Sequence, residues 1–141
     1  MPYPILLYDG VCGLCNRFVR FILGRDRDGI FRFASLQSAF AARILTRHSI
    51  SPAEFDTVYV VVNFDSQKPP EFLLSRSDAV LFVLKQLGAL WRFVAFLLQL
   101  LPKFVRDPAY NAIARHRYRV FGKYESCALP SAQDRSRFLD L

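Results

Sequence analysis

Apolar and polar positions along this chain switch between a period of about two and a period near 3.6, and the switches outline an α/β domain. The apolar run Pro4-Ile-Leu-Leu-Tyr8 reads as a strand. Over residues 14–24, Cys15, Phe18, Val19 and Ile22 then fall on one helical stripe while Arg17 and Arg20 lie off it. Gly24 and the segment Arg25-Asp-Arg-Asp-Gly29 predict the end of that helix. Phe31-Arg-Phe-Ala34 alternates as a second strand, and a strand reached from the first through a helix is expected to run parallel to it, closing a β-α-β unit.

Ser38 is placed to cap a second helix through about His48, and Ile50-Ser-Pro-Ala-Glu54 breaks the pattern. Val58-Tyr-Val-Val-Val62, with high β propensity at every position, predicts a third strand buried on both faces. Asn63 to Pro70 reads as a turn region and Glu71-Phe-Leu-Leu74 as a fourth strand, so the last two strands form an expected hairpin. Ser77 and Asp78 open a helix to about Leu87-Gly88. The order to this point is β-α-β-α-β-β-α.

Residues 89–101 form a very apolar helix stopped by Pro102. Lys85, Gln86, Gly88, Arg92 and Gln99 interrupt the apolar window, leaving a dry stretch about two thirds of the ~20 residues that span a bilayer. The helix is therefore expected to pack on the core or a partner, with a membrane-surface or protein contact through 89–101 as the alternative. Asp107-Pro108 predicts the start of a last helix with Tyr110, Ile113, Ala114, Tyr118 and Phe121 inward, Arg115 and Arg119 outward, and Gly122 as its stop. The tail 123–141 is polar apart from Cys127 and Leu129.

Length and composition fit one domain over 1–141, divided into a core (1–88), two C-terminal helices (89–122) and the tail (123–141). With 52% apolar residues and fourteen Phe among 141, bulk disorder is excluded. A net charge of +7 favours acidic partners of any kind. Zinc-finger spacing, an RNP-like string and a flexible basic tail are all missing, so Arg115-His-Arg-Tyr-Arg119 reads as a solvated face and no nucleic-acid partner is expected. Three cysteines do not make a disulfide framework, and the first residues lack a basic n-region and an apolar h-region, so a cytoplasmic, thiol-reducing location is expected.

In that setting a C-x-x-C is a site. Asp9-Gly-Val-Cys-Gly-Leu-Cys-Asn16 sits where a strand hands over to a helix. Cys12 at the helix start, with backbone N–H groups pointing toward it, is expected on the rim with a lowered thiol pKa, as the attacking thiolate; the alternative is a structural thiol. Cys15, a turn inside and facing the core, would resolve the mixed disulfide. Asp9 either caps the loop N–H groups of residues 10–12 or accepts the proton of Cys15 as it attacks. Cys127 has three readings: a third redox thiol, a metal ligand or a small buried residue. A zinc or iron-sulfur site built from Cys12, Cys15, Cys127 and a His would lack a second C-x-x-C, so no metal is expected, and His48 and His116 read as surface or capping groups.

The stretch Tyr8 to Asn16 resembles the signature of the DCC family of thiol-disulfide oxidoreductases. The likeness continues in family order through Phe33-Ala-Ser-Leu-Gln37, Arg76-Ser-Asp-Ala79, Leu87-Gly88, Leu90-Trp91, Arg106-Asp107, Tyr110, Ala114-Arg115, Arg117-Tyr118, Phe121-Gly-Lys123 and Glu125-Ser-Cys-Ala-Leu-Pro130. The resemblance implies a thioredoxin-like core, which the order of elements supports independently, and thiol-disulfide exchange with a protein or low-molecular-weight disulfide. It calls for no bound cofactor, only an external thiol reductant such as glutathione or a thiol protein. In a thioredoxin-like fold the start of the helix after the fourth strand lies on the disulfide edge. Arg76, Ser77 and Asp78 are thus candidate substrate-binding groups for the terminal charges of glutathione, with a simple Ser N-cap as the alternative. The chain departs from thioredoxins at the proline that precedes their third strand: here Phe55-Asp-Thr-Val58 enters that strand and Pro52 lies upstream. Two rival functions are a non-enzymatic redox-sensing module docked through residues 89–101, and a Cys-ligated metal-binding domain.

Overall fold

The computed structural model describes residues 3–10, 12–26, 29–50, 58–67, 70–122 and 137–139. The elements follow in the order β1 (Ile5–Tyr8), α1 (Gly13–Arg25), β2 (Arg32–Ser35), α2 (Ala39–Arg47), β3 (Tyr59–Gln67), β4 (Pro70–Ser75), α3 (Arg76–Lys85), α4 (Ala89–Gln99) and α5 (Lys103–Phe121). The strands form one mixed sheet in the order β2-β1-β3-β4. β1 is parallel to β2, with Leu6 opposite Phe33, and antiparallel to β3, with Leu6 opposite Val60; β3 and β4 form the expected hairpin. This is a thioredoxin-like α/β core, followed by two further helices.

The two-residue period of the strands divides the core. Leu6 and Tyr8 join Phe33, Val58 and Val60 on the face covered by Val19 and Ile22 of α1 and Ala79 and Val83 of α3. Ile5 and Leu7 join Ala34, Tyr59 and Val61 on the other face, covered by Ala41, Ile44 and Leu45 of α2. All four residues of β1 are buried, so its apolar run is that of an interior strand. Ser38 caps α2 as expected, its hydroxyl oxygen accepting the Ala41 N–H at 3.1 Å.

Several boundaries differ from the sequence reading. α1 passes through Gly24 and stops at Asp26, whose N–H returns to the Ile22 carbonyl at 2.8 Å. β3 and β4 extend to Gln67 and back from Pro70, consuming most of the expected turn region. α3 ends at Lys85, and Gly88, at φ +114°, takes the N-cap of α4 in a backbone region that side chains disfavour. The last helix begins at Lys103 instead of Asp107-Pro108, because Pro102 (φ −61°, ψ 151°) has the geometry of an N-cap and Pro108 sits inside. Pro108 lacks only the N–H that would have met the Phe104 carbonyl, a tolerable loss near a helix start.

α4 is not a core helix. Its sole buried residue is Ala95, and Leu90, Phe93, Phe96 and Leu97 are exposed. Ile113, expected inward, is 57% exposed, whereas Arg117 on the same helix is 7% exposed. Pro52, residues 55–57, Cys127 and Leu129 lie outside the described residues.

Near the chain end, Phe138 stacks on Phe33 at a centroid distance of 5.2 Å and bridges β2, so this segment closes the outer edge of the sheet. Asp26 anchors it: the carboxylate accepts the Ile30 and Phe31 N–H groups at 3.1 and 2.9 Å and pairs with Arg137. Asp26→Ala would leave the Ile30 and Phe31 N–H groups without their acceptor and Arg137 without its carboxylate, and is expected to cost about 2–4 kcal/mol. Urea unfolding of wild type and variant checks this, and a difference inside experimental error would remove Asp26 as the anchor.

Candidate active site

The loop after β1 is held by backbone and amide bonds that set the thiols. Cys12 N–H donates to the Asp9 carbonyl at 3.1 Å. The Asn16 side-chain amide donates to the Gly10 and Cys12 carbonyls, both at 2.8 Å, fixing the loop against the first turn of α1. The Gly13 N–H, otherwise an unmatched donor at a helix start, reaches the Gly122 carbonyl at 3.0 Å, so the end of α5 caps the beginning of α1. Gly122 stands at φ +85°, where a Cβ would be strained.

Cys12 occupies the N-cap of α1 with extended backbone (φ −87°, ψ 126°), and its Sγ accepts the Cys15 N–H at 3.3 Å. Both thiols are free. The Cys12 thiol is lowered to about 6, chiefly by the hydrogen bond from the Cys15 thiol, then by the Cys15 N–H and the Arg117 charge, against the opposing effect of burial. The Cys15 thiol is pushed up by that same hydrogen bond, by burial and by the charge it faces on Cys12. The charge therefore resides on Cys12 and the proton on Cys15. Accessibility runs opposite to expectation: Cys12 has no exposed surface and does not lie on the rim, while Cys15 is 9% exposed. The cause is that the Cys12 sulfur turns back over the helix start to accept the Cys15 N–H.

Asp9 is also buried and reaches away from the loop. Oδ1 accepts the Gln37 side-chain amide at 2.8 Å; Oδ2 accepts Arg117 Nη2 at 3.2 Å and the Tyr118 hydroxyl. Gln37 Oε1 in turn accepts the Gly10 N–H at 3.0 Å, so a loop amide that a capping Asp9 would hold is held through Gln37. Burial and the Asp9 carboxylate push the Tyr118 hydroxyl up to about 12, leaving it a donor. Gln37, Arg117 and Tyr118 carry no assigned role in the sequence reading. The signal for Arg117 is its register: seven residues after Tyr110 and three after Ala114, it falls on the inward stripe of its helix.

Cys15 opens onto an apolar cavity of about 360 Å³ bounded by α1, α3, α4 and α5. Leu14 and Phe18 contribute from α1, Leu81 from α3, and Ile113 from α5. Of the three residues at the start of α3, Ser77 lines this cavity and its hydroxyl donates to Asp107. Ser77 does not cap α3, since the N-cap position is Ser75. Arg76, at φ +51°, is exposed and its Nε donates to Asn111 Oδ1 at 3.2 Å; Asp78 pairs with Lys103 at 2.7 Å and Arg106 at 3.5 Å. All three groups thus face α5. His48 ends α2 with Nε2 2.5 Å from Glu71 Oε2, and His116 is exposed. No cluster of three or more metal-ligating side chains occurs among the described residues.

The family model described as DCC1-like thiol-disulfide oxidoreductase matches residues 6–123. An uncharacterized protein of Bacillus subtilis (strain 168), YuxK, is 41% identical over 140 residues, covering 99% of this chain and 96% of that protein. A chloroplastic DCC family protein of Arabidopsis thaliana, At1g52590, is 39% identical over 126 residues, covering 89% of this chain and 69% of that protein. No solved structure matches.

Since the lowered thiol ionises near 6, thiolate ultraviolet absorbance of the reduced Cys127→Ser protein should be nearly constant just above pH 7 and fall as pH drops through about 6. Removing the nearby cation in Arg117→Gln should move that midpoint upward. In the Cys127→Ser protein, a single midpoint at the ordinary thiol value of about 8.5 would contradict the charge assignment.

Proposed function

Because the chain belongs to the DCC1-like thiol-disulfide oxidoreductase family, we propose that it exchanges electrons with disulfides through Cys12 and Cys15. Cys12 thiolate attacks a substrate disulfide, forming a mixed disulfide and expelling one substrate thiolate. Cys15 then loses its proton and attacks Cys12 Sγ, releasing the second substrate thiol and leaving the Cys12-Cys15 disulfide. Two electrons pass to the substrate, and an external thiol such as glutathione or a thiol protein restores the pair without a bound cofactor. The observation carrying this reading is the placement of Cys12 Sγ at the N-cap of α1, where it accepts the Cys15 N–H at 3.3 Å, with the neighbouring Cys15 thiol drawing the Cys12 thiol down.

Cys12 has no exposed surface, so attack on a protein disulfide needs its cover to open, and the Gly13-Gly122 hydrogen bond between α1 and α5 is a place where it can. Asp9 acts through Arg117, holding a cation beside the thiolate, and, as a carboxylate whose charge acts on the Cys15 thiol, takes its proton. Arg76, Ser77 and Asp78 serve a polar substrate once their α5 partners yield. The protein works in a reducing compartment such as the cytoplasm.

The α4–α5 face supports a second reading, in which the same protein also docks on an anionic membrane surface. Leu90, Phe93 and Phe104 are 66%, 58% and 78% exposed. Arg92, Lys103, Arg115 and Arg119 are exposed on the same two helices. Apolar side chains flanked by cations suit the headgroup region of such a surface. No described helix is long and apolar enough to cross a membrane.

Cys12→Ser is expected to lower disulfide reductase activity at least about 100-fold, and Cys15→Ser to accumulate a mixed disulfide on Cys12 that mass spectrometry identifies. Full activity of Cys12→Ser would end the exchange reading. For docking, flotation with phosphatidylglycerol vesicles should retain wild type and lose Phe93→Ser/Phe104→Ser; equal recovery of both proteins argues against it.

A further inference from the structure

Closing a Cys12-Cys15 disulfide releases one proton from a buried thiol, and reopening it takes one back. Cys15 is 9% exposed, and Asp9, the carboxylate read as its proton acceptor, is 3% exposed. The open side of Cys15 faces the cavity bounded by α1, α3, α4 and α5, whose wall is almost wholly apolar. Water there finds too few polar partners to carry a proton. The groups bound to Asp9 are the remaining way to solvent.

The described donors to Asp9 differ in what they can do with a proton. Gln37 Nε2 donates at 2.8 Å and Arg117 Nη2 at 3.2 Å, but amide and guanidinium nitrogens accept no proton in exchange. The Tyr118 hydroxyl donates to Asp9 Oδ2, and a hydroxyl oxygen can accept as well as donate. That oxygen already accepts from Arg117 Nη2 at 3.4 Å. Tyr118 is half-buried, whereas Arg115, Arg119 and Val120 beside it on α5 are exposed, so it joins a buried carboxylate to the protein surface. Burial and the Asp9 carboxylate keep its phenol protonated. Pairing with Arg117 favours the ionised form of Asp9, so a proton taken up in one turnover has to be passed on before the next.

We propose that Tyr118 is the proton outlet of the thiol pair, its hydroxyl relaying between Asp9 and water the proton that Cys15 loses or regains in each turnover. The idea rests on the exchange reading, in which Asp9 takes that proton, and adds the residue that clears it. As Cys15 Sγ attacks Cys12 Sγ, its proton passes to the Asp9 carboxylate. The bond between Cys12 and the substrate sulfur breaks, and its electron pair leaves on the substrate thiolate, which takes a proton from solvent. Asp9 then hands its proton to the Tyr118 oxygen while the Tyr118 hydroxyl proton goes to water. The phenol is neutral before and after, and the Asp9-Arg117 pair is restored. When an external thiol reopens the disulfide, the same steps run in reverse. Tyr118 acts through Asp9, so its hydroxyl matters to closure of the disulfide and not to the first attack by Cys12.

The test follows a single turnover of the reduced full-length Cys127→Ser protein with excess hydroxyethyl disulfide. Acid quenching, alkylation and mass spectrometry separate formation of the mixed disulfide on Cys12 from closure of the Cys12-Cys15 bond. Adding Tyr118→Phe, which keeps the ring and loses the hydroxyl, should leave the first step within about twofold and slow closure at least about tenfold. Folded Tyr118→Ala should close as slowly, and imidazole, a proton carrier that fits the space vacated, should restore its closure but not that of Tyr118→Phe. If Tyr118→Phe accumulates no more mixed disulfide than its parent, or if both steps slow together, the inference is overturned and the exchange reading stands. Failure of imidazole to speed Tyr118→Ala also overturns it, since the ring would then serve packing alone. If the parent forms neither the mixed disulfide nor the closed pair, the exchange reading falls and the proton outlet with it.

Discussion

A buried ion pair joins Asp9, at the end of the first strand, to Arg117, near the end of the last helix, across 108 residues of sequence. Neither partner has water to fall back on, so removing either would strand a charge in the interior at a cost of about 3–5 kcal/mol. That constraint makes α5 part of the site, although a thioredoxin-like core closes without it. It places a cation beside the Cys12 sulfur, brings the Tyr118 hydroxyl onto the same carboxylate and stations the Gly122 carbonyl over the Gly13 N–H. Through Gln37 it also reaches the loop that carries the cysteines.

Local pattern made much of this architecture legible. The strands at Ile5–Tyr8 and Tyr59–Gln67, the Ser38 cap and the β-α-β-α-β-β-α order rest on periodicity and propensity, which act over a few residues. The start of α5 was hidden because two prolines compete for it: Asp107-Pro108 has the composition of a helix start, but Pro102 supplies one five residues earlier and the helix absorbs the second. Orientation was harder still. Ile113 and Arg117 exchange the faces their chemistry would assign, since the arginine has a buried carboxylate to meet and the isoleucine edges an open cavity. Such a pairing depends on contacts over a hundred residues apart, which no local window contains. The Asp9, Cys12 and Cys15 cluster was visible as a motif, yet its partners Gln37, Arg117 and Tyr118 appeared only as parts of a resembling pattern.

The thiols show how geometry refines a motif. C-x-x-C spacing at a helix start predicts an acidic first cysteine, and the helix start does contribute through the Cys15 N–H. The largest influence is nevertheless the second cysteine's own thiol, so each sulfur sets the proton affinity of the other. The apolar Gly13-Leu14 insert adds no charge, and the nearby cation comes instead from α5. A part of the tuning of this pair thus comes from a helix outside the thioredoxin-like core.

Complete coverage of the Cys12 sulfur bears on chemical damage. A thiolate is the form that peroxides convert to sulfenic acid and then, irreversibly, to sulfinic and sulfonic acids. Of the two thiols, the one most susceptible to that sequence has no exposed surface, and Cys15, the slightly more exposed, keeps its proton and resists it. Nucleophilicity and vulnerability, which ordinarily rise together, are thereby separated: a small oxidant in bulk water meets the inert thiol first.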